Sequence, residues 1–517
     1  MNDEHAARLA HRSGDQLPAG PVAPAGPTTL ATFAGPVRVE WDDQSSLTPL
    51  GQVAFFIEFL NVSGRFEAWI GSCPLRYTSG NAPLVRDVLG TAMLSMLAGH
   101  KRYAHITALR SDSVLPELLG MTKIVSEDTV RRALKAIDER AGLEWLQRHI
   151  DLCTHPLLAE KYILDIDTTV KPLYGHQEGA VVSYNPKKPG RPSHVHHTYM
   201  LAGLRLIMGV ETAAGNEHTG AHCAPGLWAL LDRVGRDCWP TLLRGDCGIA
   251  SQGVMQEAEQ RGIDYLFKLR LTKNVKRLIE RTFAKGGWCD AGQGWQGKEE
   301  TLRLNGWSRH RRVVVLRRRL KDGVVASARD HQNQLRLGFA EIEADTQLYE
   351  YAVLVTSSKE AALSIAQLYR DRADCENVFD ELKNQWGWGG FTTKDLARCR
   401  LTARMVALIY NWWNLFVRLA EPDKHLEAIT SRPLLLAGIA ERVRHSRQTT
   451  LRIASTHGRA GWARSVLDGV AAFLRGLIDT AEQLTVDQKW SRILSHALRS
   501  WLKGRQLRAP PRLAAPA

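Results

Sequence analysis

Residues 359–386 are predicted to form a long helix, and four polar residues recur along it: Tyr369, Arg372, Glu376 and Lys383. Successive separations of three, four and seven residues place all four on one face, since an α-helix turns once in about 3.6 residues. A carboxylate beside two cations and a phenol could hold a metal ion next to a phosphate. The alternative interpretation is an ion-paired, solvent-facing stripe, which is common on long helices.

Two aspartates follow predicted strands elsewhere in the chain. Asp167 ends the run YILDID from residue 162, and Asp246 follows the run LLRG from residue 242. Because α/β sheets place their sites at strand carboxyl ends, these acids and Glu376 can converge, although a single acid after a strand is more often a turn or capping residue. Converging carboxylates repel unless cations neutralise them, and hard oxygen ligands suit Mg²⁺ or Mn²⁺. Two such ions about 4 Å apart can activate an attacking oxygen and stabilise the leaving oxygen of a phosphodiester.

This set of residues resembles the DDE transposases of bacterial insertion sequences, in the group with the Tyr-x2-Arg-x3-Glu-x6-Lys signature. The four helix residues keep every spacing of that signature. The segment YILDIDTTVKPLYGHQEGA is similar to the strand that carries the group's first acid, and LLRGDCGIAS is similar to its Arg-x-Asp-x-Gly block. The resemblance covers about residues 80 to 420.

The resemblance implies the roles of the acids. Asp167, Asp246 and Glu376 would be the catalytic residues and would hold two Mg²⁺ or Mn²⁺ ions. Asp165 is the alternative first acid, because it shares one face of the predicted strand with Asp167. The Thr168-Thr169 pair that follows Asp167 matches the group's pattern and favours Asp167.

A second set of residues is predicted to contact DNA. Tyr369, Arg372 and Lys383 would contact phosphates of the transposon ends near the cleavage point, as the resemblance implies. The loop from Tyr184 to Pro192 carries three further cations that could follow a DNA backbone: Lys187, Lys188 and Arg191. An ordinary proline-rich surface loop is the alternative for this segment.

Helical and strand-like segments alternate along the chain, which predicts an α/β fold. The resemblance implies an RNase H-like mixed-sheet catalytic core with a β-rich insertion between the second Asp and the Glu, flanked by helical N- and C-terminal regions. We expect these boundaries: a disordered tail 1–45, a helical DNA-binding domain 46–150, a discontinuous core 151–275 and 351–393, a β-rich insertion 276–350, a helical region 394–505 and a disordered tail 506–517. Within 46–150, a short helix at 116–120 and a second helix that begins after Ser126 resemble a helix-turn-helix.

Several aromatic and basic residues allow two interpretations. Trp288, Trp295 and Trp307 in the insertion could stack on a flipped base, but packing within a small β module is favoured for each. The segment 311–319 carries five arginines and could line a DNA groove. The histidines at 194, 196 and 197 are expected to be strand and loop residues rather than metal ligands, and the apolar run 197–210 is predicted to be one strand.

Composition limits the class of protein. The chain has 517 residues and a formal net charge of +14, which favours a polyanionic partner such as nucleic acid. No pair of the eight cysteines has C-x-x-C spacing, and no G-x-x-x-x-G-K-[ST] is present, so a structural zinc site and an ATP-driven motor are disfavoured. No apolar h-region begins the chain and no run of 18 or more apolar residues occurs, so we expect a cytoplasmic protein without a membrane partner.

The expected function is cut-and-paste DNA transposition of an insertion sequence, by metal-dependent end cleavage and strand transfer. Its DNA partners would be the element's terminal inverted repeats and target DNA. A homodimer is expected from the resemblance, because two ends must be held together. The alternatives are a catalytically silent, domesticated copy that only binds DNA and a metal nuclease that only hydrolyses it.

Overall fold

The computed structural model describes residues 27–42, 44–186, 188–320, 349–454 and 457–508. The described part of the chain starts with a small hairpin, which a block of helices follows. The elements of this part are β1 (Thr28–Thr32), β2 (Gly35–Val39), β3 (Leu47–Thr48), α1 (Val53–Ser63), α2 (Arg65–Gly71), α3 (Val85–Leu97), α4 (Val114–Leu118), α5 (Glu127–Ala136) and α6 (Glu139–Thr154). Ser126 caps α5 by accepting a hydrogen bond from the Thr129 backbone N–H, as the sequence predicts.

A mixed sheet forms the centre of the molecule. Its strands are β4 (Ile163–Pro172), β5 (Val181–Val182), β6 (Pro192–Leu201), β7 (Leu206–Ala214), β8 (Leu242–Gly245), β9 (Asp264–Lys268), β10 (Cys289–Asp290), β11 (Trp295–Leu302), β12 (Arg311–Arg319) and β13 (Tyr349–Thr356). The order is β10-β11-β12-β13-β9-β8-β4-β6, with β5 and β7 both pairing with β6. The central strands β4, β8 and β9 are parallel and the other pairs are antiparallel. The predicted α/β fold class with a mixed sheet is thereby confirmed.

The remaining elements cover the sheet and close the chain. They are α7 (Gly220–Val234), α8 (Gln252–Arg261), α9 (Lys273–Lys285), α10 (Ala362–Arg370), α11 (Ala373–Gln385), α12 (Leu396–Ala420), α13 (Ala428–Leu435), β14 (Ala440–His445), β15 (Gln448–Ile453), α14 (Ala460–Ile478) and α15 (Val486–Ala497). Helix α12 is apolar on nearly all sides because it lies between β7 and the helices α6 and α15. No helix of the described ranges is both long and apolar enough to cross a membrane.

Several elements differ from the sequence-based expectation. The hairpin β1–β2 lies in the segment expected to be a disordered tail, and the hairpin β14–β15 lies in the region expected to be helical. Strands β11 and β12 of the expected insertion continue the central sheet, because β12 pairs with β13 and β13 pairs antiparallel with β9. The predicted strand 197–210 is wrong, because a turn at 202–205 with positive φ at Gly203 and Arg205 divides it into β6 and β7.

The single helix predicted for 359–386 is also wrong, because the chain forms two helices, α10 and α11. The carbonyl of Leu368 would normally accept the backbone N–H of Arg372, but it accepts a hydrogen bond from Arg244 Nη1 instead. The Arg372 N–H bonds to the Tyr369 carbonyl, and the helix is interrupted at residues 371–372. A side chain inserted into the helical ladder is a known cause of such a break.

Arg244 on β8 also forms a buried ion pair at the centre of the sheet. Its Nε and Nη2 bind the two carboxylate oxygens of Asp165 on β4 at 2.5 and 2.8 Å. The side chains of Arg244 and Asp165 are 2% and 0% exposed. A bidentate pair of this kind ties β4, β8 and the end of α10 together.

We expect Arg244→Met to lower the free energy of unfolding by about 3–5 kcal/mol, because it leaves Asp165 buried without its cation. The double variant Asp165→Leu/Arg244→Met should recover most of that loss, because it removes both charges. Urea unfolding at neutral pH measures both changes. Arg140→Met is the control, since Arg140 pairs with Glu144 at the surface and should contribute less than about 1 kcal/mol. An unchanged single variant would contradict the role given to this pair.

Candidate active site

Asp167 and Asp246 lie at neighbouring positions of adjacent parallel strands. The last register pair of β4 and β8 is Ile166 with Gly245, so the two aspartates follow that pair directly. Parallel strands are about 4.8 Å apart, which brings the two residues side by side. Strand β4 continues to Pro172 in its pairing with β6, so Asp167 marks the end of the β8 pairing and not the end of the strand.

Asp167 is almost completely buried, with 6% of its surface exposed. The pKa of Asp167 is raised to about 7, mainly by burial and to a smaller extent by the charges of Asp246 and Glu376. The Arg372 guanidinium and a 2.7 Å hydrogen bond from the Thr168 backbone N–H act in the opposite direction. Asp167 is therefore a buried member of a group of like-charged carboxylates, and its burial disfavours the ionised form.

Arg372 is the cation that lies between two of the acids. Its Nη2 forms an ion pair with Asp167 Oδ2, and its Nη1 lies 3.5 Å from Glu376 Oε1. The Arg372 side chain is 8% exposed, whereas that of Glu376 is 72% exposed. The break between α10 and α11 places Arg372 at the start of α11, facing the sheet.

The other two signature residues lie on either side of this break. Tyr369, near the end of α10, is half-buried; its pKa is raised by burial and, to a smaller extent, by the charges of Asp246 and Asp167. Lys383 is half-buried near the end of α11, and its charge helps to lower the pKa of His196 on β6. Tyr369 and Arg372 thus lie near the two aspartates, and Lys383 lies towards β6.

The two candidate first acids have different surroundings. Both oxygens of Asp165 are held by Arg244, and no part of the Asp165 side chain is exposed. Asp167 lies beside Asp246 and forms an ion pair with Arg372, which directly precedes α11. Of the two aspartates, Asp167 has the surroundings that better suit a metal ligand, because both oxygens of Asp165 are already bound by Arg244.

The carboxylates fit a divalent cation by chemistry more than by their present arrangement. Asp167, Asp246 and Glu376 supply hard oxygen donors, and their mutual repulsion would be relieved by a cation. In the described part of the chain, however, no group of three or more His, Cys, Asp or Glu side chains is arranged to hold a metal ion. Arg372 fills the position between Asp167 and Glu376, so a cation held by all three acids requires the guanidinium to move.

The basic loop is described in part. Lys187 lies outside the described residues, while Lys188 and Arg191 are exposed. Both cations lie over the ring of Tyr174, with 5.0 Å from Lys188 Nζ and 4.7 Å from Arg191 Cζ to the ring centroid. None of the contacts of Lys188 and Arg191 within the described ranges involves the three acids.

The tryptophans of the expected insertion pack against arginines. The guanidinium of Arg317 lies 4.0 Å from the ring centroid of Trp288, that of Arg318 lies 5.0 Å from Trp295, and that of Arg311 lies 5.2 Å from Trp307. Arg311 also binds Glu259, and Arg318 binds Glu350. These contacts favour packing over stacking on a flipped base, and they occupy three of the five arginines of β12.

Two buried basic residues of the central strands, Arg244 and Lys171, could not be recognised from a motif of their own. Arg244 belongs to the Arg-x-Asp-x-Gly block but has no assigned role there, and Lys171 belongs to no motif. Lys171 lies on the same face of β4 as Asp167, with 4% of its surface exposed. Burial lowers the pKa of Lys171 to about 8. The alternation of polar residues at 165, 167, 169 and 171 was the available signal for a polar buried face.

We expect Lys171→Met to stabilise the protein by about 3 kcal/mol at pH 7, because the pKa falls from 10.5 when unfolded to about 8 when folded. Below pH 8 both states are protonated and the folded state carries the full cost of the buried charge. Between pH 8 and 10.5 the folded state loses its proton first, so the gain should shrink. Thermal unfolding across this pH range measures the gain in stability, with Lys188→Met as the exposed control. A gain that does not depend on pH would contradict a lowered pKa of Lys171.

We expect Arg372→Gln to increase the affinity of the DNA-free protein for Mn²⁺ about tenfold or more, which corresponds to about 1.4 kcal/mol. The physical reason is that the guanidinium competes with a cation for Asp167 and Glu376. Mn²⁺ titration followed by electron paramagnetic resonance measures the affinity.

Arg370→Gln is the matched control for this measurement, because Arg370 is two residues away and bonds to the Ala291 carbonyl and to Gln367. Its Mn²⁺ affinity should equal that of the native protein. Addition of Asp167→Asn to Arg372→Gln should abolish the gain. Equal Mn²⁺ affinity in Arg372→Gln and the native protein would show that Arg372 does not compete with the cation.

Comparisons with known proteins place the chain in a family. No curated protein matches the sequence. The cryo-EM structure of a piggyBac transposase synaptic complex with hairpin DNA matches over 87% of this chain and 88% of that chain, with 10% sequence identity and a TM-score of 0.38. The family model described as transposase DDE domain group 1 matches residues 83–472, about three quarters of the sequence. The chain therefore belongs to the DDE-domain transposase family, group 1.

Proposed function

We propose that this transposase catalyses cut-and-paste transposition of an insertion sequence, with Asp167, Asp246 and Glu376 as its catalytic acids. The observation that carries the proposal is the placement of Asp167 beside Asp246 on adjacent parallel strands, with Arg372 between Asp167 and Glu376. Carboxylates brought together in this way cost free energy unless they serve to bind a cation. Membership of the transposase family makes DNA phosphoryl transfer the reaction that such a site would serve.

The three acids would hold two divalent ions, Mg²⁺ or Mn²⁺, through carboxylate oxygens. When bound, such ions supply charge stabilisation to both the attacking and the leaving oxygen of a phosphodiester. The chain's part is to position the DNA: Tyr369 would donate its hydroxyl to a phosphate oxygen, and Arg372 and Lys383 would bind phosphates near the cleavage point. Arg372, released from Asp167, would then exchange a carboxylate for a phosphate.

The reaction needs no external energy source. Hydrolysis of a phosphodiester at each element end frees a 3′-hydroxyl, which attacks target DNA and forms a new P–O bond as the target bond breaks. The substrates would be the terminal inverted repeats and target DNA, held by a homodimer in the bacterial cytoplasm. Lys187, Lys188 and Arg191 would follow the DNA backbone outside the acid cluster.

We expect Glu376→Gln to bind DNA that carries the element's ends and to yield no excised or joined product, because it replaces one carboxylate ligand by a neutral amide and removes no DNA contact. The assay combines the purified protein, end-bearing DNA, a target plasmid and Mg²⁺. Asp380→Asn is the control, since Asp380 is an exposed carboxylate on the same helix; it should retain activity within about twofold.

Three other results would each change the assignment. A native protein that binds ends without cutting them supports the domesticated copy, and cut ends that never join target DNA support a nuclease. Full activity of Glu376→Gln would show that Glu376 is not a catalytic acid.

A further inference from the structure

The hairpin β14–β15 stands out from the helical region around it. Its strands pair antiparallel from Ala440 with Ile453 to His445 with Gln448, and only its base pairs with another strand, β3, through Ala440 and Glu441. Residues 444–450 are all exposed. An isolated two-stranded hairpin is marginally stable in water, so this one depends on its anchored base and on its side-chain contacts.

The hairpin is strongly basic. Residues 440–453 contain the four arginines 442, 444, 447 and 452 and a single glutamate, Glu441, which gives a formal net charge of +3. Val443, Leu451 and Ile453 are half-buried and Ala440 is buried, so its fully exposed surface is polar and charged. Such a surface fits a polyanion better than an apolar protein partner.

The two faces of the hairpin are used differently. Glu117 on α4 binds both Arg442 and Arg444, which holds one face against the helical block. Arg442 also donates to Ser46 Oγ at 2.9 Å, which fixes the base of the hairpin. These contacts fix the hairpin beside α4 through its strands and not through its turn.

The opposite face and the tip are left for a partner. In register, this face carries Glu441 opposite Arg452, Val443 opposite Thr450, and His445 opposite Gln448. Neither Arg452 nor Arg447, which lies in the turn, has an ion pair to any residue that the structure describes. The turn places Ser446 at φ +56°, a conformation that costs a non-glycine residue free energy and that clusters at functional sites.

We propose that β14–β15 is a DNA-binding ribbon whose outer face enters the major groove of a duplex. Two strands about 4.8 Å apart, with their side chains, match a groove about 12 Å wide that admits a two-stranded ribbon. Arg452, Gln448 and Thr450 have the hydrogen-bonding groups that contact base edges or phosphates there. The major groove of duplex RNA is too narrow for such a ribbon.

The duplex that this ribbon binds would be the element's own ends. That identification rests on the proposed function. Glu117 joins the ribbon to α4, the first helix of the predicted helix-turn-helix at α4 and α5. The two features would form one continuous DNA-facing surface outside the acid cluster. The ribbon would select or hold the end sequence, and the acids would cut it.

The test measures binding in EDTA to a duplex copied from the DNA that flanks the coding sequence, to a scrambled duplex and to an RNA duplex of the same sequence. Arg447→Gln/Arg452→Gln should weaken binding to the end duplex about tenfold or more, and should lower the slope of log K against log salt by about one for each arginine that contacts a phosphate. Binding to the RNA duplex should change less than about twofold.

Two controls separate the ribbon from general charge and from misfolding. Arg140→Gln/Arg464→Gln removes the same charge from two exposed arginines on α6 and α14, and should leave binding within about twofold. Ser446→Gly keeps every charge, relieves the turn and should bind as the native protein does. The two double arginine variants must unfold at the midpoint of the native protein, and the midpoint of Ser446→Gly should not be lower, which would show that the hairpin is intact.

The outcomes distinguish the ribbon from the proposed function. Equal binding by the ribbon variant and the charge control overturns the ribbon while the native protein can still cut ends in Mg²⁺. An equal loss on RNA and DNA overturns the groove placement. A native protein that binds the end duplex through the ribbon but never cuts it leaves the ribbon standing and removes the catalytic proposal, and a native protein that binds no duplex overturns both.

Discussion

The buried pair of Asp165 and Arg244 is the interaction on which the arrangement of the site depends. It holds β4 against β8 in parallel register, so the residues that follow, Asp167 and Asp246, lie side by side. The same guanidinium takes the Leu368 carbonyl out of the helical ladder and ends α10. That break turns Arg372 towards the sheet, where it meets Asp167. One arginine therefore sets both the spacing of two acids and the direction of their counter-ion.

A second constraint is the charge of the acid cluster. Asp167 is buried among like charges, and Arg372 offsets part of that cost. A guanidinium and a divalent cation both serve as counter-ions for carboxylates, but a guanidinium also matches a phosphate through two parallel hydrogen bonds. Exchange of Arg372 from Asp167 to a DNA phosphate would therefore couple the arrival of DNA to the opening of the acid cluster for a cation. Such coupling would limit metal-dependent cleavage to the DNA-bound protein.

The sequence predicted the fold class, because this depends on local patterns of apolar residues; the roles given to the three acids stay a prediction. Apolar runs that end in acid predicted β4 and β8, whereas the spacing from Tyr369 to Glu376 predicted one helix where the chain forms α10 and α11. The helix break could not be predicted, because its cause is Arg244, a residue more than a hundred positions away in sequence. The strands β14 and β15 were not predicted for a different reason. Polar residues occupy most positions of both strands, so no alternation of apolar and polar residues separates them from a charged helix or a loop.

The central claim is that Asp167 and Asp246 form the cation site and that Arg372 leaves it when DNA binds. Anomalous diffraction from crystals of the protein with its end DNA and Mn²⁺ tests this most directly. We expect manganese density in contact with Asp167 and Asp246, with the Arg372 guanidinium on a phosphate and Asp165 still bound to Arg244. Manganese bound at Asp165, or Arg372 still paired with Asp167 in the DNA complex, would contradict it.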